Sequence, residues 1–219
     1  HHVSKSYGEK VLVRDFSYTV LKNQKLGIIG PNGCGKSTLI KMMAGLVQPD
    51  SGTIEVGETV KIGYFAQENE DMTGDIRVID YIRNVAEYIQ TTKGQASASQ
   101  MLDRFLFPPE LQYTPLDKLS GGEQRRLYLL KVLMEAPNVL ILDEPTRGID
   151  VGAKRDIYLL LGKLVQQGKA VIMISSEIPE LMGVCDRIMV MCEGNLSGEV
   201  KRNEFSQERI MTLASALEV

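Results

Sequence analysis

Eight residues constrain this chain more than any others: Gly30-Pro31-Asn32-Gly33-Cys34-Gly35-Lys36-Ser37. They lie between an apolar run, Lys25 to Ile29, and a segment from Lys36 to Ala44 in which Leu39, Ile40, Met42 and Met43 mark a helix. Gly45 and Pro49 end that helix. Strand, glycine loop and helix form the first unit of an α/β fold. The glycines let the backbone curl so that successive N–H groups point at phosphate oxygens, and the helix N-terminus adds its partial positive charge. The spacing G-x-x-x-x-G-K-S places Lys36 against the β- and γ-phosphates of a nucleotide and Ser37 on Mg²⁺.

A second apolar run, Val139 to Leu142, ends in Asp143 and Glu144. Beside a phosphate loop, this arrangement sets Asp143 at the Mg²⁺ held by Ser37 and turns Glu144 toward the attacking water. The chain alternates helix (Glu123 to Glu135), strand (Val139 to Leu142), helix (Ala153 to Gln167) and strands (Ala170 to Ser175, Arg187 to Met191), which predicts a mainly parallel sheet flanked by helices. Between about Asp71 and Lys118 the pattern differs. Val78, Ile79, Tyr81, Ile82, Val85 and Ile89 fall at helical spacing, polar Thr91 to Ser99 follow, and a second helix is predicted near Gln100 to Leu106. This reads as a helical insertion.

A length of 219 residues suits one domain with a small appended subdomain. With 25 Lys plus Arg against 28 Asp plus Glu, the net charge of −3 excludes a global basic field for nucleic acid. No apolar run approaches the length of a membrane span, and the start lacks a signal-peptide stretch, so a soluble cytoplasmic chain is expected. Cys34, Cys185 and Cys192 are odd in number and lack metal-ligand spacing, as reduced thiols do. His1 and His2 look like a tag remnant, as residues 215–219 do at the other end, where Leu217, Glu218 and Val219 resemble the start of an engineered protease site.

Between the two nucleotide motifs stands Leu119-Ser120-Gly121-Gly122-Glu123-Gln124, with Ser120 as a helix N-cap and Glu123 placed for a capping box. In this order and position the hexapeptide resembles the signature sequence of ATP-binding cassette (ABC) proteins, and the resemblance covers nearly the whole chain. It implies a P-loop NTPase fold: a mainly parallel sheet with flanking helices, a small antiparallel β subdomain and the helical insertion. It implies a single nucleotide-binding domain over residues 1–219, its ATPase core formed by 1–67 and 119–214 and its helical subdomain by about 71–118. ATP and Mg²⁺ are the implied cofactors. Gly30, Asn32, Gly33, Cys34, Gly35, Lys36, Ser37 and Thr38 would hold the phosphates, and Tyr7 would stack on adenine. Gln67 would serve the metal and the catalytic water, and Asp150 would form the aspartate loop. The implied partner is a second copy: Ser120, Gly121, Gly122 and Glu123 of one cassette cap the nucleotide on the loop of the other, and Glu144 as general base drives hydrolysis that parts the pair.

Two branches of the family are visible. Residues from about 3 to 146, including V-L-V-R-D-F-S-Y and F-L-F-P-P-E-L-Q-Y-T-P, resemble the second cassette of ABC-F ATPases, which are associated with the ribosome. Residues from about 147 to 214, including P-T-R-G-I-D-V-G-A-K and I-S-S-E-I-P-E-L, resemble the second cassette of ribose- and galactose-type importer ATPases. A chimera joined near Asp143 to Thr146 is the reading this suggests. ABC cassettes usually carry a histidine against the γ-phosphate where this chain has Glu177. A carboxylate about 4 Å from one phosphate charge is repelled by about 4 kcal/mol at an effective dielectric of about 20, so Glu177 is expected to point away or be protonated, unless it is a solvated carboxylate at a helix start, and turnover to be slow or absent. The competing readings are a non-catalytic fold that retains ATP binding, an importer subunit docked on membrane permease domains, and an ABC-F factor on the ribosome.

Overall fold

The computed structural model describes residues 1–68, 72–91, 94–149 and 151–215; nothing is described of the side chains at 153 and 156. The chain opens with an antiparallel pair, β1 (Val3–Tyr7) and β2 (Lys10–Phe16), in which Tyr7 faces Lys10 across the turn. It then enters β3 (Lys25–Ile29), the glycine loop and α1 (Lys36–Met43). After β4 (Ile62–Phe65) come α2 (Val78–Arg83), the strands β5 (Tyr88–Thr91) and β6 (Gly94–Ser97), α3 (Ala98–Arg104) and the short α4 (Pro109–Gln112). The chain continues through α5 (Gly121–Met134), β7 (Val139–Asp143), α6 (Val151–Gln166), β8 (Ala170–Ile174), α7 (Ile178–Val184), β9 (Arg187–Cys192), β10 (Asn195–Lys201) and α8 (Gln207–Ser215).

Six strands form the central sheet in the order β10-β9-β3-β8-β7-β4, parallel throughout except that β10 runs antiparallel to β9. A parallel sheet is covered on both faces and its strands are nearly uninterrupted apolar runs. Ala170-Val171-Ile172-Met173-Ile174 is buried at every position, and Leu140, Ile141 and Leu142 beside it are no more than 1% exposed. One face packs Leu26, Ile28, Ile141, Ile172 and Met189 under α1 and the β1–β2 pair. The other packs Leu140, Val171 and Met173 with α5 and with the insertion residues Val78, Ile79, Ile82, Leu102 and Phe107.

The expected doubly flanked parallel sheet is present, and the strand and helix limits agree with the sequence reading to within two residues in its second half. The insertion differs. The helix drawn through Val78 to Ile89 ends at Arg83, and Ile89 instead stands in β5 opposite Ala96 of β6. A spacing of four fits both a helix turn and an alternating strand, and here the strand holds: Tyr88 and Gln90 are exposed, while Ile89 packs on the core. The polar stretch Thr91 to Ser99 therefore includes β6 and the first turn of α3, capped by Ser97 and Gln100 in a capping box. The hairpin does not join the central sheet.

Candidate active site

The carboxyl ends of β3 and β7 open onto a cavity of about 600 Å³, where open parallel sheets bind ligands. Its wall contains Asn32, Gly33, Gly35, Lys36, Ser37, Thr38, Gln67, Asp143, Glu144 and Glu177, brought together from four separate stretches of chain. Gly35 caps α1 with φ 107 and no side-chain cap, so the first N–H groups of the helix stay available to an anion. No other residue fits there: a Cβ on Gly35 would lie 1.7 Å from the carbonyl oxygen of Leu12. Gly30, likewise, would place a Cβ 2.0 Å from the carbonyl oxygen of Met191. Lys36 is only 8% exposed, and its Nζ donates to the carbonyls of Gly30 (2.7 Å) and Pro31 (2.9 Å), which hold the ammonium over the loop.

Asp143 ends β7 and is 2% exposed, and its Oδ1 is buried without a hydrogen-bond partner. Its other oxygen accepts from Tyr64 at 3.5 Å. Burial holds this carboxyl above the ordinary carboxylate range, with Glu144 adding to that, while a hydrogen bond from Ser37 works the other way. A buried carboxylate oxygen in want of a partner, on a residue of the cavity wall beside a serine hydroxyl, suits a small hard cation that keeps most of its ligands from water and phosphate. The residues present therefore fit Mg²⁺ held by Ser37 and Asp143, with Gln67 on the same wall. Glu144 follows at φ 48, in the left-handed region that side chains rarely adopt, and accepts a hydrogen bond from the Ser176 hydroxyl.

Two buried networks behind the wall escaped the sequence reading. Arg125 of α5, 3% exposed, donates to the carbonyls of Ala66 (2.8 Å), Asp143 (3.2 Å) and Glu144 (2.9 Å) and lies 4.0 Å over the Phe65 ring. Burial lowers its guanidinium to about 10. One side chain thus joins the signature helix to the residue before Gln67 and to both carboxylate-bearing residues. Glu180 of α7, 8% exposed, accepts from the hydroxyls of Thr146, Tyr158 and Ser175, tying the loop after Glu144 to α6 and β8. Lys10, Leu12, Thr146, Arg147, Gly148 and Ser176 also line the cavity and were not singled out from the sequence. Only for Lys10 was there a signal, its place on an alternating edge strand beside Tyr7.

Other named residues lie off this wall. Tyr7 is 53% exposed at the end of β1, with the ammonium of Lys5 5.5 Å from its ring, and reaches the site only through its partner Lys10. Cys34 is buried and points away from the cavity residues into the core under β3. Ser120, Gly121, Gly122 and Glu123 stand at the start of α5, away from the cavity. There the capping box is formed: Glu123 N donates to Ser120 Oγ at 3.3 Å and Ser120 N donates to Glu123 Oε2 at 2.7 Å. Asp150 lies outside the described residues.

Glu177 requires a correction. It lines the cavity at the N-cap position of α7, a solvated carboxylate at a helix start, and it is paired with Lys154 of α6 at 2.6 Å. The repulsion argued from the sequence left out this cation, which stands 23 residues away in the chain.

Comparison with known proteins agrees with this architecture. The sequence profile of the family described as "ABC transporter" matches residues 13–147. The chain is 44% identical over 212 residues to the uncharacterized ABC transporter ATP-binding protein YfmR of Bacillus subtilis, an alignment covering 96% of this chain and 33% of that protein. It is 36% identical over 232 residues to the ribose import ATP-binding protein RbsA of Bacillus licheniformis, covering 96% of this chain and 47% of that one. The chain thus spans between a third and a half of the curated relatives it matches. Among solved structures, the dimeric post-hydrolysis state of the ATP-binding cassette MJ0796 superimposes with a TM-score of 0.76 at 21% identity, covering 93% of this chain and 98% of that one. An ATP-binding subunit of an ABC transporter superimposes with 0.81 at 18% identity, covering 98% and 97%. At those identities the structures speak to the fold alone, whereas the profile match takes in more than half of the chain, which therefore belongs to the ABC transporter family as an ATP-binding ATPase domain.

Proposed function

We propose that this domain binds Mg-ATP in the cavity above β3 and β7 and hydrolyses it while paired head to tail with a second copy. The observation that carries the proposal is the convergence of Lys36, Ser37, Asp143, Glu144 and Gln67 on one wall. Lys36 and the loop N–H groups bind the phosphates, and Tyr7 supplies a face for the adenine at the rim. Mg²⁺ on Ser37 and Asp143 would neutralise charge on the β- and γ-phosphates. Glu144 accepts the proton of the attacking water, with Ser176 fixing one of its oxygens and Gln67 and Glu177 beside it. Ser120, Gly121 and Gly122 are not among the residues that line the cavity. A Cβ on Gly121 would meet nothing within 4 Å, so its lack of a side chain serves something outside the chain. The nucleotide on a second copy is that partner in our reading.

The domain reads as one cassette, with an ATPase core over 1–67 and 119–214 and a helical lobe over about 71–118 that moves against it about Gln67 and the residues before Leu119. Asp150, which matches the family's aspartate loop, is counted with the nucleotide-binding residues in this reading. With Glu177 paired to a lysine, the electrostatic reason for slow turnover is weakened, and we favour an active ATPase over a non-catalytic fold. Two readings of the larger assembly remain: a factor of the ABC-F type, which rests on the resemblance of residues 3 to 146 alone, and an importer subunit on permease domains, which the ribose import protein RbsA and Arg147-Gly148-Ile149-Asp150 support. The switch in resemblance at residue 147 supports a chimeric origin. Sizing the protein with and without Mg-ATP while measuring phosphate release tests the core of this reading: ATP-dependent dimers with turnover are expected, and a monomer that releases no phosphate overturns it.

A further inference from the structure

We propose that Lys154 is a charge-compensating residue of the nucleotide site, a positioning residue that acts through Glu177 so that a triphosphate is accepted at a wall carrying a carboxylate where the family has a histidine. The inference rests on the reading that this cavity takes ATP. Two placements that local structure leaves unexplained meet in this pair. Lys154 stands in the first turn of α6, where a cation opposes the positive end of the helix dipole, and no acidic residue of that turn offsets it. Glu177 occupies the N-cap position of α7, yet its carboxylate caps nothing there. Each is accounted for by the other, since Nζ lies 2.6 Å from Oε1 in a charge-assisted hydrogen bond.

The pairing matters because of what else faces the triphosphate. Asp143, Glu144 and Glu177 share the wall with Lys10, Lys36 and Arg147; Mg²⁺, when bound, would oppose Asp143, and Glu144 is held by Ser176. Glu177, with its side chain 60% exposed, has Lys154, whose own side chain is only 19% exposed. The ammonium is thus the less hydrated of the two, and the pair presents a nearly neutral group to the γ-phosphate. Removing the lysine leaves the Glu177 carboxylate without its counter-charge. Because Glu177 is largely solvated, the penalty falls toward the weak end of the Coulomb range, about tenfold in affinity.

The test measures affinity for a fluorescent ATP analogue with Mg²⁺, and phosphate release, in the unmodified chain and in Lys154→Ala, Glu177→Gln and the double variant, at low salt and at 1 M salt. Lys154→Ala is expected to bind about tenfold more weakly, with the loss shrinking at high salt. The double variant is expected to return to within about twofold of Glu177→Gln. Since it still lacks the lysine, that recovery also shows that the substitution does not act by disturbing the fold. Lys154→Arg should bind as the unmodified chain does. Unchanged affinity in Lys154→Ala, or a double variant as weak as Lys154→Ala, overturns the inference. Lys36→Ala in the same assay separates the two levels: if it too binds normally, the nucleotide reading itself is wrong, whereas its loss beside an intact Lys154→Ala removes this inference alone.

Discussion

Gly35 and Gly121 both stand where a loop turns into a helix, and they are there for opposite reasons. At Gly35 the backbone is in the left-handed region and a side chain would collide with the carbonyl of Leu12. That glycine is demanded by the fold of a single chain. Gly121 has no positive φ, and the space around it is open. Nothing within the chain asks for glycine there. The first lines the cavity of this chain, and under the proposed pairing the second faces a second copy, so substitutions at the two places should fail in different assays.

The strongest test of that contrast is Gly35→Ala, which should cost about 4 kcal/mol or more of stability, combining left-handed strain with a backbone clash that no rotamer relieves. Thermal and denaturant unfolding would measure it, and a normally stable protein would mean that the loop relaxes freely. Glu144→Gln should lower phosphate release by about a thousandfold with little change in nucleotide affinity, because it removes the proton acceptor and keeps the shape. A variant that also lost binding would place Glu144 in the ground-state contacts. Lys36→Ala should weaken Mg-ATP binding by about a hundredfold through loss of its charge-assisted hydrogen bonds, with stability nearly unchanged. Arg125→Met should destabilise the fold by about 2–3 kcal/mol, since three carbonyls lose their donor and burial is kept. Smallest in stability is Gly121→Ala, within about 0.5 kcal/mol of the unmodified chain, yet it should weaken ATP-driven dimerisation seen by sizing. Loss of stability there would erase the distinction between the two glycines.

Much of the site was legible because its parts are local. The loop Gly30 to Ser37 and the strand ending in Asp143 and Glu144 are contiguous stretches whose chemistry follows from residue type and spacing, and the capping box Ser120–Glu123 closes over three residues. The β5–β6 hairpin was missed for the opposite reason, its four-residue apolar spacing being compatible with a helix until the strand partner is known.

By itself, then, the sequence determined the alternation of buried strands and helices, the phosphate loop and the carboxylates, because period, glycine placement and charge act between near neighbours. Only the tertiary structure decided what surrounds them. Arg125 meets the carbonyl of Ala66 across 59 residues, Glu180 gathers hydroxyls from up to 34 residues away, and Lys154 meets Glu177 across 23. Such contacts depend on which helix packs over which strand end, and a side chain's electrostatic role is set by the charges the fold brings within a few ångströms of it, whatever its neighbours in the chain.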